Sequence, residues 1–395
     1  MDAMSASRES CVRLKKPLER SIRSGHPWLY RDALEPFSLE PGTVVRVLGK
    51  SQRFLARGLV DAGPIGVRVF TSKDEPIDGA LFARRLDAAL ELRTRTLSGT
   101  TNAYRLLHGE GDRLPGVVCD VYATFAVLRL DGEAAGAWQA RFIEWLREPL
   151  AGLGVTSLLL RAGRKQQQAA QLAYGAPPPD ELVIEEHGMR MALSLMHGQK
   201  TGLFLDHRES RRRVREIARG LDVLNLYGYT GGFSVAAGLG GAARVTTVDS
   251  APAALRHAES SWSHNGLEAE RHQLRAQDVS VCLEELTRAR ARFTLIVADP
   301  PNFAPSDAAR PRALESYAAL HAAALGLLSA HGYYLAASCS SHVTWEDFAA
   351  TLREGARRAR CGLQWLERWG APADHPRLLG FPEGEYLKVG LLRAE

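Results

Sequence analysis

The stretch LDVLNLYGYTGGFSVAAGLGGAARVTTVD (residues 221–249) decides the fold. Asp222-Val-Leu-Asn-Leu-Tyr227 joins β-branched and aliphatic residues and stops at Gly228, the pattern of a short buried parallel strand. Gly228, Gly231 and Gly232 then form a turn whose backbone can approach a ligand, and Phe233-Ser-Val-Ala-Ala-Gly-Leu239 opens an apolar helix. Arg244-Val-Thr-Thr-Val-Asp249 is a second strand, ending in a carboxylate where doubly wound sheets hold ribose hydroxyls. Strand, glycine turn, helix, strand and acid together read as a nucleoside-binding unit.

The glycine spacing narrows the ligand. Gly228-Tyr-Thr-Gly231-Gly232 does not fit G-x-G-x-x-G, whose turn cradles a pyrophosphate, so a nucleoside without phosphate fits better. S-adenosylmethionine is the common one. Ordinary βα-turn glycines would look similar, so the assignment depends on the neighbouring strand ends.

At 395 residues the chain is long enough for two or three domains. A net charge of +5 is compatible with nucleic acid but does not require it. Arginines cluster at Arg208, Arg211, Arg212, Arg213, Arg215 and Arg219, as either a solvated helix face or a phosphate-binding surface. The five cysteines are far apart and show no CxxC spacing, which argues for reduced thiols and against disulfides or structural zinc. The histidines show no ligand spacing either, so no metal is expected. No signal peptide and no apolar run of about 18 residues is present, so a soluble, cytoplasmic protein is expected, with no membrane partner.

Taken in order, residues 1–11 are small and polar and read as a disordered start. Residues 12–80 carry a basic and aromatic entrance, with Arg13, Lys15, Lys16, Arg20, Arg23 and His26-Pro-Trp28. Strand patterns at 43–48, 54–60 and 66–71 then make it a small β-rich domain. Residues 81–195 mix helices at 81–97 and 134–150 with strands near 125–130 and 157–161, a surface excursion at 164–179 and a hairpin at 182–195. Residues 196–395 form a third domain around the opening stretch. In it, a helix at 253–265 precedes Arg275-Ala-Gln-Asp278, which ends a third strand beside the expected adenine. Phe293-Thr-Leu-Ile-Val-Ala298 runs into Asp299-Pro-Pro, and Gly332-Tyr-Tyr-Leu-Ala-Ala337 runs into Ser338-Cys-Ser340. Every candidate group lies at the carboxyl end of a parallel strand, where ligands bind in open α/β sheets. Two prolines cannot continue a central strand, so Asp299 is held rigidly at the cleft. Cys339 alone would read as a buried small hydrophobe, and its company makes it a nucleophile candidate.

The motifs Ile184-Glu-Glu-His-Gly-Met189, Gly198-Gln-Lys-Thr-Gly202, Leu205-Asp-His-Arg-Glu-Ser-Arg211, Asp299-Pro-Pro-Asn-Phe303, Ser338-Cys-Ser340, Asp374-His-Pro376 and Phe381-Pro-Glu-Gly-Glu-Tyr-Leu-Lys388 resemble the bacterial 23S ribosomal RNA cytosine-5 methyltransferases. The resemblance covers nearly the whole chain. It implies an α/β class I, Rossmann-like S-adenosylmethionine-dependent methyltransferase domain, preceded by a PUA-like RNA-binding domain and a mixed α+β EEHG domain.

It further implies that Cys339 adds to carbon 6 of the base. Asp299 would hold the cytosine edge, and an unstacked base in ribosomal RNA would be the target. By the same resemblance Asn225, Tyr227, Gly228, Asp249, Ser250, Asp278, Asp299 and Pro300 line the cofactor pocket, with Lys200, Thr201, Phe204, Asp206 and Arg208 closing over it. Asn302 stands where the family often has lysine, and residues 161–174 lack its usual arginine-rich pattern. Three alternatives stay open: methylation of guanine nitrogen, methylation of uracil carbon 5, and a non-catalytic RNA-binding assembly factor. A homodimer is also left open.

Overall fold

The computed structural model describes residues 9–161, 169–198 and 201–395. The chain separates into two units and passes between them repeatedly. Residues up to 97, 104–177 and 373–384 belong to the first, and residues 98–103, 178–372 and 385–395 to the second.

The first unit opens with β1 (Cys11–Arg13), α1 (Glu19–Arg23), β2 (Trp28–Tyr30), β3 (Val44–Leu48), β4 (Phe54–Val60) and β5 (Ile65–Thr71), in one sheet of order β1-β3-β4-β5-β2. The start is ordered earlier than expected. Cys11 pairs with Arg46 in the parallel β1–β3 ladder, and Glu9 holds Arg57 at 2.7 Å. The disordered reading of 1–11 therefore fails for 9–11, because β1 finds a partner more than thirty residues away.

A second sheet follows, built with α2 (Gly79–Thr96), β6 (Ala103–His108), β7 (Val117–Tyr122), β8 (Phe125–Leu130), α3 (Glu133–Ala137), α4 (Gln139–Gly152), β9 (Ser157–Arg161) and β10 (Gln171–Tyr174), in the order β10-β9-β8-β7-β6. Residues 171–174, read as part of a surface excursion, instead pair antiparallel with β9. Helix α2 starts at Asp78, whose carboxylate accepts the Leu81 amide at 2.9 Å. The expected division after residue 80 is no gap in packing, since Leu59 and Phe70 of the first sheet share one core with Leu81, Leu106 and Phe142.

The Asp374-His-Pro376 motif is built into this unit as structure. Asp374 accepts the Arg105 amide at 3.0 Å, and its carbonyl accepts from Arg93, whose guanidinium forks onto Asp112 with both contacts at 2.7 Å.

The second unit contains the hairpin of β11 (Leu182–Glu186) and β12 (Met189–Leu193), then α5 (Arg208–Ile217), β13 (Asp222–Leu226), α6 (Gly232–Leu239), β14 (Arg244–Asp249), α7 (Pro252–His264), β15 (His272–Ala276), α8 (Val279–Arg288), β16 (Phe293–Ala298), α9 (Arg310–Leu325), β17 (Leu328–Ser338), α10 (Trp345–Ala359), β18 (Leu363–Trp369) and β19 (Lys388–Ala394). The hairpin falls in this unit and not with the residues before it. The Ala192 amide donates to Ser261 at 2.8 Å, and Asn265 bonds both the amide and the carbonyl of Arg190. The expected boundary at 195 thus moves to 177.

The seven-stranded sheet has the order β15-β14-β13-β16-β17-β19-β18. Its first five strands are parallel, and β19 runs antiparallel between β17 and β18. This is a doubly wound, Rossmann-like α/β sheet. Leu224, Ile296, Tyr334 and Ala336 of its strands pack against Tyr317, Leu320 and Phe348 of its helices. The strand order reverses between β13 and β16, which places the ligand crevice beyond their carboxyl ends. Among the described residues no helix is long and apolar enough to cross a membrane.

Candidate active site

The turn after β13 is tightly determined. Tyr227 and Tyr229 hold φ of +57° and +48°, a region that costs non-glycine residues energy and persists only where surroundings enforce it. The Tyr229 amide donates to Asp249 at 2.8 Å, and the Ala251 amide donates to the other carboxylate oxygen at 2.8 Å. Asp249, at the end of β14, is therefore oriented by two backbone donors and keeps a lone pair on each oxygen for a vicinal diol.

The glycines serve a different purpose from the one expected. A Cβ on Gly228 would meet the Thr247 methyl at 2.4 Å, one on Gly231 the Ala258 Cβ at 2.7 Å, and one on Gly232 the Arg211 Cδ at 2.9 Å. Protein packing alone already disfavours a side chain at all three.

Beneath the turn Asn225 donates to Ser234 at 2.8 Å, Ser234 contacts Thr247 at 2.6 Å, and Thr247 contacts His272 at 2.7 Å. Asn225 Oδ1 is buried and has no partner among the described residues. Asp278 caps α8 and accepts from Ser280, which holds its carboxyl below the usual carboxylate range and keeps it charged. Burial first, and then the Asp278 charge, push the nearby Tyr227 phenol up to about 12, so it stays a neutral donor. Ser250 is exposed beside Asp249.

The facing half of the crevice is carried by β16 and β17, which are parallel neighbours. Asp299 and Pro300 follow β16, and Cys339 follows β17 with Sγ 4.0 Å from the Pro300 carbonyl. The flanking serines anchor both strand ends: Ser338 donates to Tyr317 at 3.1 Å, and Ser340 donates to the Ala304 carbonyl at 2.9 Å. Asn302, at the position where lysine was noted as common, accepts the Ala304 amide at 3.0 Å and shapes the same loop.

Two residues that sequence reasoning missed belong here. His207 Nε2 lies 3.1 Å from Asp299 Oδ2, while its Nδ1 contacts Ser210 at 3.2 Å. Ser210 accepts from the Trp369 indole at 2.9 Å and so has its own proton to offer Nδ1. That network directs Nε2–H to Asp299 Oδ2, and Oδ1 has no partner among the described residues. Lys388, the first residue of β19, is opposite Ser338 in the ladder and 1% exposed. Its ammonium donates to the Ser340 carbonyl, makes no ion pair with a carboxylate of the described residues, and is lowered by burial to about 8. His207 sits inside the 205–211 motif and Lys388 closes the 381–388 motif, so both were in view without a partner to explain them.

Of the residues expected to close over the pocket, Lys200 lies outside the described residues. Thr201 is buried. The Tyr229 hydroxyl donates to the Gly202 carbonyl at 3.0 Å, and Phe204 packs edge-on against Tyr229 at 5.4 Å, so this segment does lie against the turn. Asp206 accepts from the Tyr386 hydroxyl at 2.8 Å. Arg208 is buried, donates to the Ala103 carbonyl at 3.3 Å and has Glu186 3.9 Å away.

The arginine cluster is neutralised from within the protein. Arg211 forks onto buried Glu186 at 2.6 and 2.7 Å, Arg212 binds Glu209 and Glu216, and Arg213 binds Glu216 and Glu367. Arg212 and Arg219 are exposed, so part of the cluster is a solvated face, while Arg208 and Arg211 are buried.

The donor set fits S-adenosylmethionine. The strand ends offer two carboxylates, Asp249 and Asp278, for ribose and adenine, and Arg211, the cation beside Gly232, is committed to Glu186.

Residues 151–384 match the S-adenosylmethionine-dependent methyltransferase family, and residues 12–72 match a PUA-like domain. A ribosomal RNA large subunit methyltransferase of Deinococcus radiodurans is 36% identical, across 99% of this chain and 100% of that protein. The ribosomal RNA large subunit methyltransferase I of Erwinia tasmaniensis is 34% identical, across 95% and 97%. Among solved structures, a putative SAM-dependent methyltransferase from Streptococcus mutans superposes with a TM-score of 0.87 at 23% identity, across 97% of this chain and 100% of that one. A putative methyltransferase complexed with SAH gives 0.86 at 22% identity, across 98% and 99%.

Proposed function

Because the chain belongs to the S-adenosylmethionine-dependent methyltransferases, in the branch whose named members are ribosomal RNA large subunit methyltransferases, we propose that it methylates carbon 5 of a cytosine in large-subunit (23S) ribosomal RNA, with Cys339 as nucleophile. The observation that carries this reading is the meeting of Cys339 with the Asp299-Pro300 strand end, Sγ at 4.0 Å from the Pro300 carbonyl, across the crevice from Asp249.

Carbon 5 of cytosine is a weak nucleophile until a thiolate adds at carbon 6 and turns the ring into an enamine. Cys339 Sγ forms that bond. S-adenosylmethionine, held by Asn225, Tyr227, Gly228, Asp249, Ser250 and Asp278, supplies the electrophilic methyl group. Once carbon 5 carries the methyl, a base takes its proton, the electron pair re-forms the ring double bond and Sγ is expelled. Asp299 accepts the cytosine amino hydrogen on Oδ1, while His207 fixes Oδ2. Lys388, a buried cation with no carboxylate ion pair among the described residues, interacts electrostatically with Cys339 and favours its anionic form.

The test is Cys339→Ala with RNA carrying 5-fluorocytidine. The parent protein is expected to form a stable protein–RNA adduct, because fluorine at carbon 5 cannot leave as a proton, and the variant to form none and to lose methyl transfer. A variant that transfers methyl groups at the parent rate overturns the thiolate mechanism and favours a nitrogen acceptor, which needs no adduct. Analysis of the modified nucleosides separates cytosine from uracil.

A further inference from the structure

The first unit contains a concavity of about 390 Å³ between the end of α1, the end of β5 and the first turns of α2. Five cationic side chains border it: Arg23, Lys73, Arg84, Arg85 and Arg113. The single carboxylate in its wall, Glu75, is occupied, accepting from Thr71 at 2.8 Å and from Arg84 at 2.6 Å.

Arg85 is fixed by donating to the carbonyls of Phe70 and Arg113. Burial, and then repulsion from Arg113, pull it down to about 10, and Glu75 offsets only part of that cost. Arg113 lies over Gly25, where a Cβ would be 3.4 Å from one terminal nitrogen and 3.5 Å from the other. Gly25 itself adopts φ +94° and turns the chain out of α1. Arg23, Lys73 and Arg113 make no side-chain hydrogen bond or ion pair with the described residues. Five cations gathered in a concavity against one carboxylate, with forked donors among them, form the pattern that recognises a phosphate.

We infer that this concavity seats a phosphate of the RNA backbone, away from the base that is methylated, an assignment that rests on ribosomal RNA being the substrate. A mononucleotide-sized opening accepts one phosphate with part of its sugar, and contact to the backbone positions the strand without reading its sequence. The pocket draws on β5 of the first sheet, on α1 and α2, and on Arg113 in the turn between β6 and β7. Arg84, Arg85 and Arg113 lie beyond the PUA-like segment, so that segment alone does not complete it.

The test compares the full-length protein with a triple variant, Arg23→Gln, Lys73→Gln, Arg113→Gln, whose altered side chains support no internal contact. Binding of deproteinised large-subunit ribosomal RNA is measured against potassium chloride concentration, with S-adenosylmethionine affinity by calorimetry as the control for folding. The variant is expected to bind RNA roughly 10-fold more weakly near physiological salt, with the slope of log K against log salt shallower by about 1. Its KM for RNA should rise while kcat at saturating RNA is retained.

Parent affinity and slope in the variant would overturn the pocket. A parent protein that itself fails to bind or methylate RNA overturns the substrate reading first, and the pocket with it. Stabilisation of the parent by inorganic phosphate that disappears in the variant, with RNA affinity unchanged, assigns the pocket to a free anion and overturns the RNA assignment.

Discussion

Replacing Lys388 by methionine should make the protein more stable and less active. The ammonium is 1% exposed, and burial lowers it from 10.5 to about 8. At about 1.4 kcal/mol per pH unit, the charged lysine withholds about 3 kcal/mol of folding free energy at neutral pH. The sign follows from proton counting. Between about 8 and 10.5 the unfolded chain holds a proton on this residue and the folded chain does not, so this contribution to stability rises with pH across that window and is absent below it. Methionine has a similar length and no charge, but it leaves the Ser340 carbonyl without its donor, which costs about 1–2 kcal/mol. The variant should therefore gain about 1–2 kcal/mol at pH 7, with the gain shrinking as pH approaches 10. Urea unfolding at several pH values measures this. Methyl transfer should fall about 100-fold, because the thiolate loses its neighbouring cation, and the rising limb of the pH–rate profile should shift upward. A variant that is destabilised by more than about 1 kcal/mol at every pH, or that keeps the parent pH–rate profile, refutes the assignment of Lys388 as a positioning residue for Cys339.

Acid should destabilise the fold through two buried histidines, since burial lowers His272 to about 4 and His321 to about 3. Both are neutral when folded, so below their ordinary value of 6.5 the unfolded chain binds the extra protons, and stability present above 6.5 is lost as pH falls towards 4 and 3. The loss at pH 5 is about 2 kcal/mol for each, and a His321→Gln variant should flatten the pH dependence of the urea midpoint. Glu186→Gln, which leaves Arg211 buried without its anion, should cost about 3–5 kcal/mol of stability in the same assay. A cost below about 1 kcal/mol would refute the bidentate pair. Asp249→Asn places an amide against the Tyr229 and Ala251 N–H groups, so S-adenosylmethionine affinity measured by calorimetry should fall about 10- to 100-fold.

The local part of this architecture is readable in the sequence. Phe293–Ala298 forms a strand over the span its apolar run predicts, and the chain leaves the sheet at the double proline. Period and punctuation suffice there, because a strand buried on both faces leaves a continuous apolar trace. The strand β17 is longer than expected, starting at Leu328. A small, polar stretch with His331 at φ +61° interrupts the pattern, and the ladder to β16 shifts register across it. Pairings between distant residues left no trace. Lys388 is only the last residue of a motif until β19 is found inserted between β17 and β18, and His207 acquires a role only when Asp299 arrives beside it. The unit boundaries were hidden for the same reason, since residues 373–384 rejoin a part of the fold built far earlier in the chain.

The glycine turn has a practical consequence for altering this enzyme. Gly228, Gly231 and Gly232 each abut protein atoms within 3 Å of where a Cβ would stand, so any side chain added there must displace a neighbour. Redesign towards synthetic analogues with larger transferable groups should accordingly keep these three positions, together with Ser338 and Ser340, which hold the strand ends, and Asp278, which caps α8, and begin at the exposed Ser250.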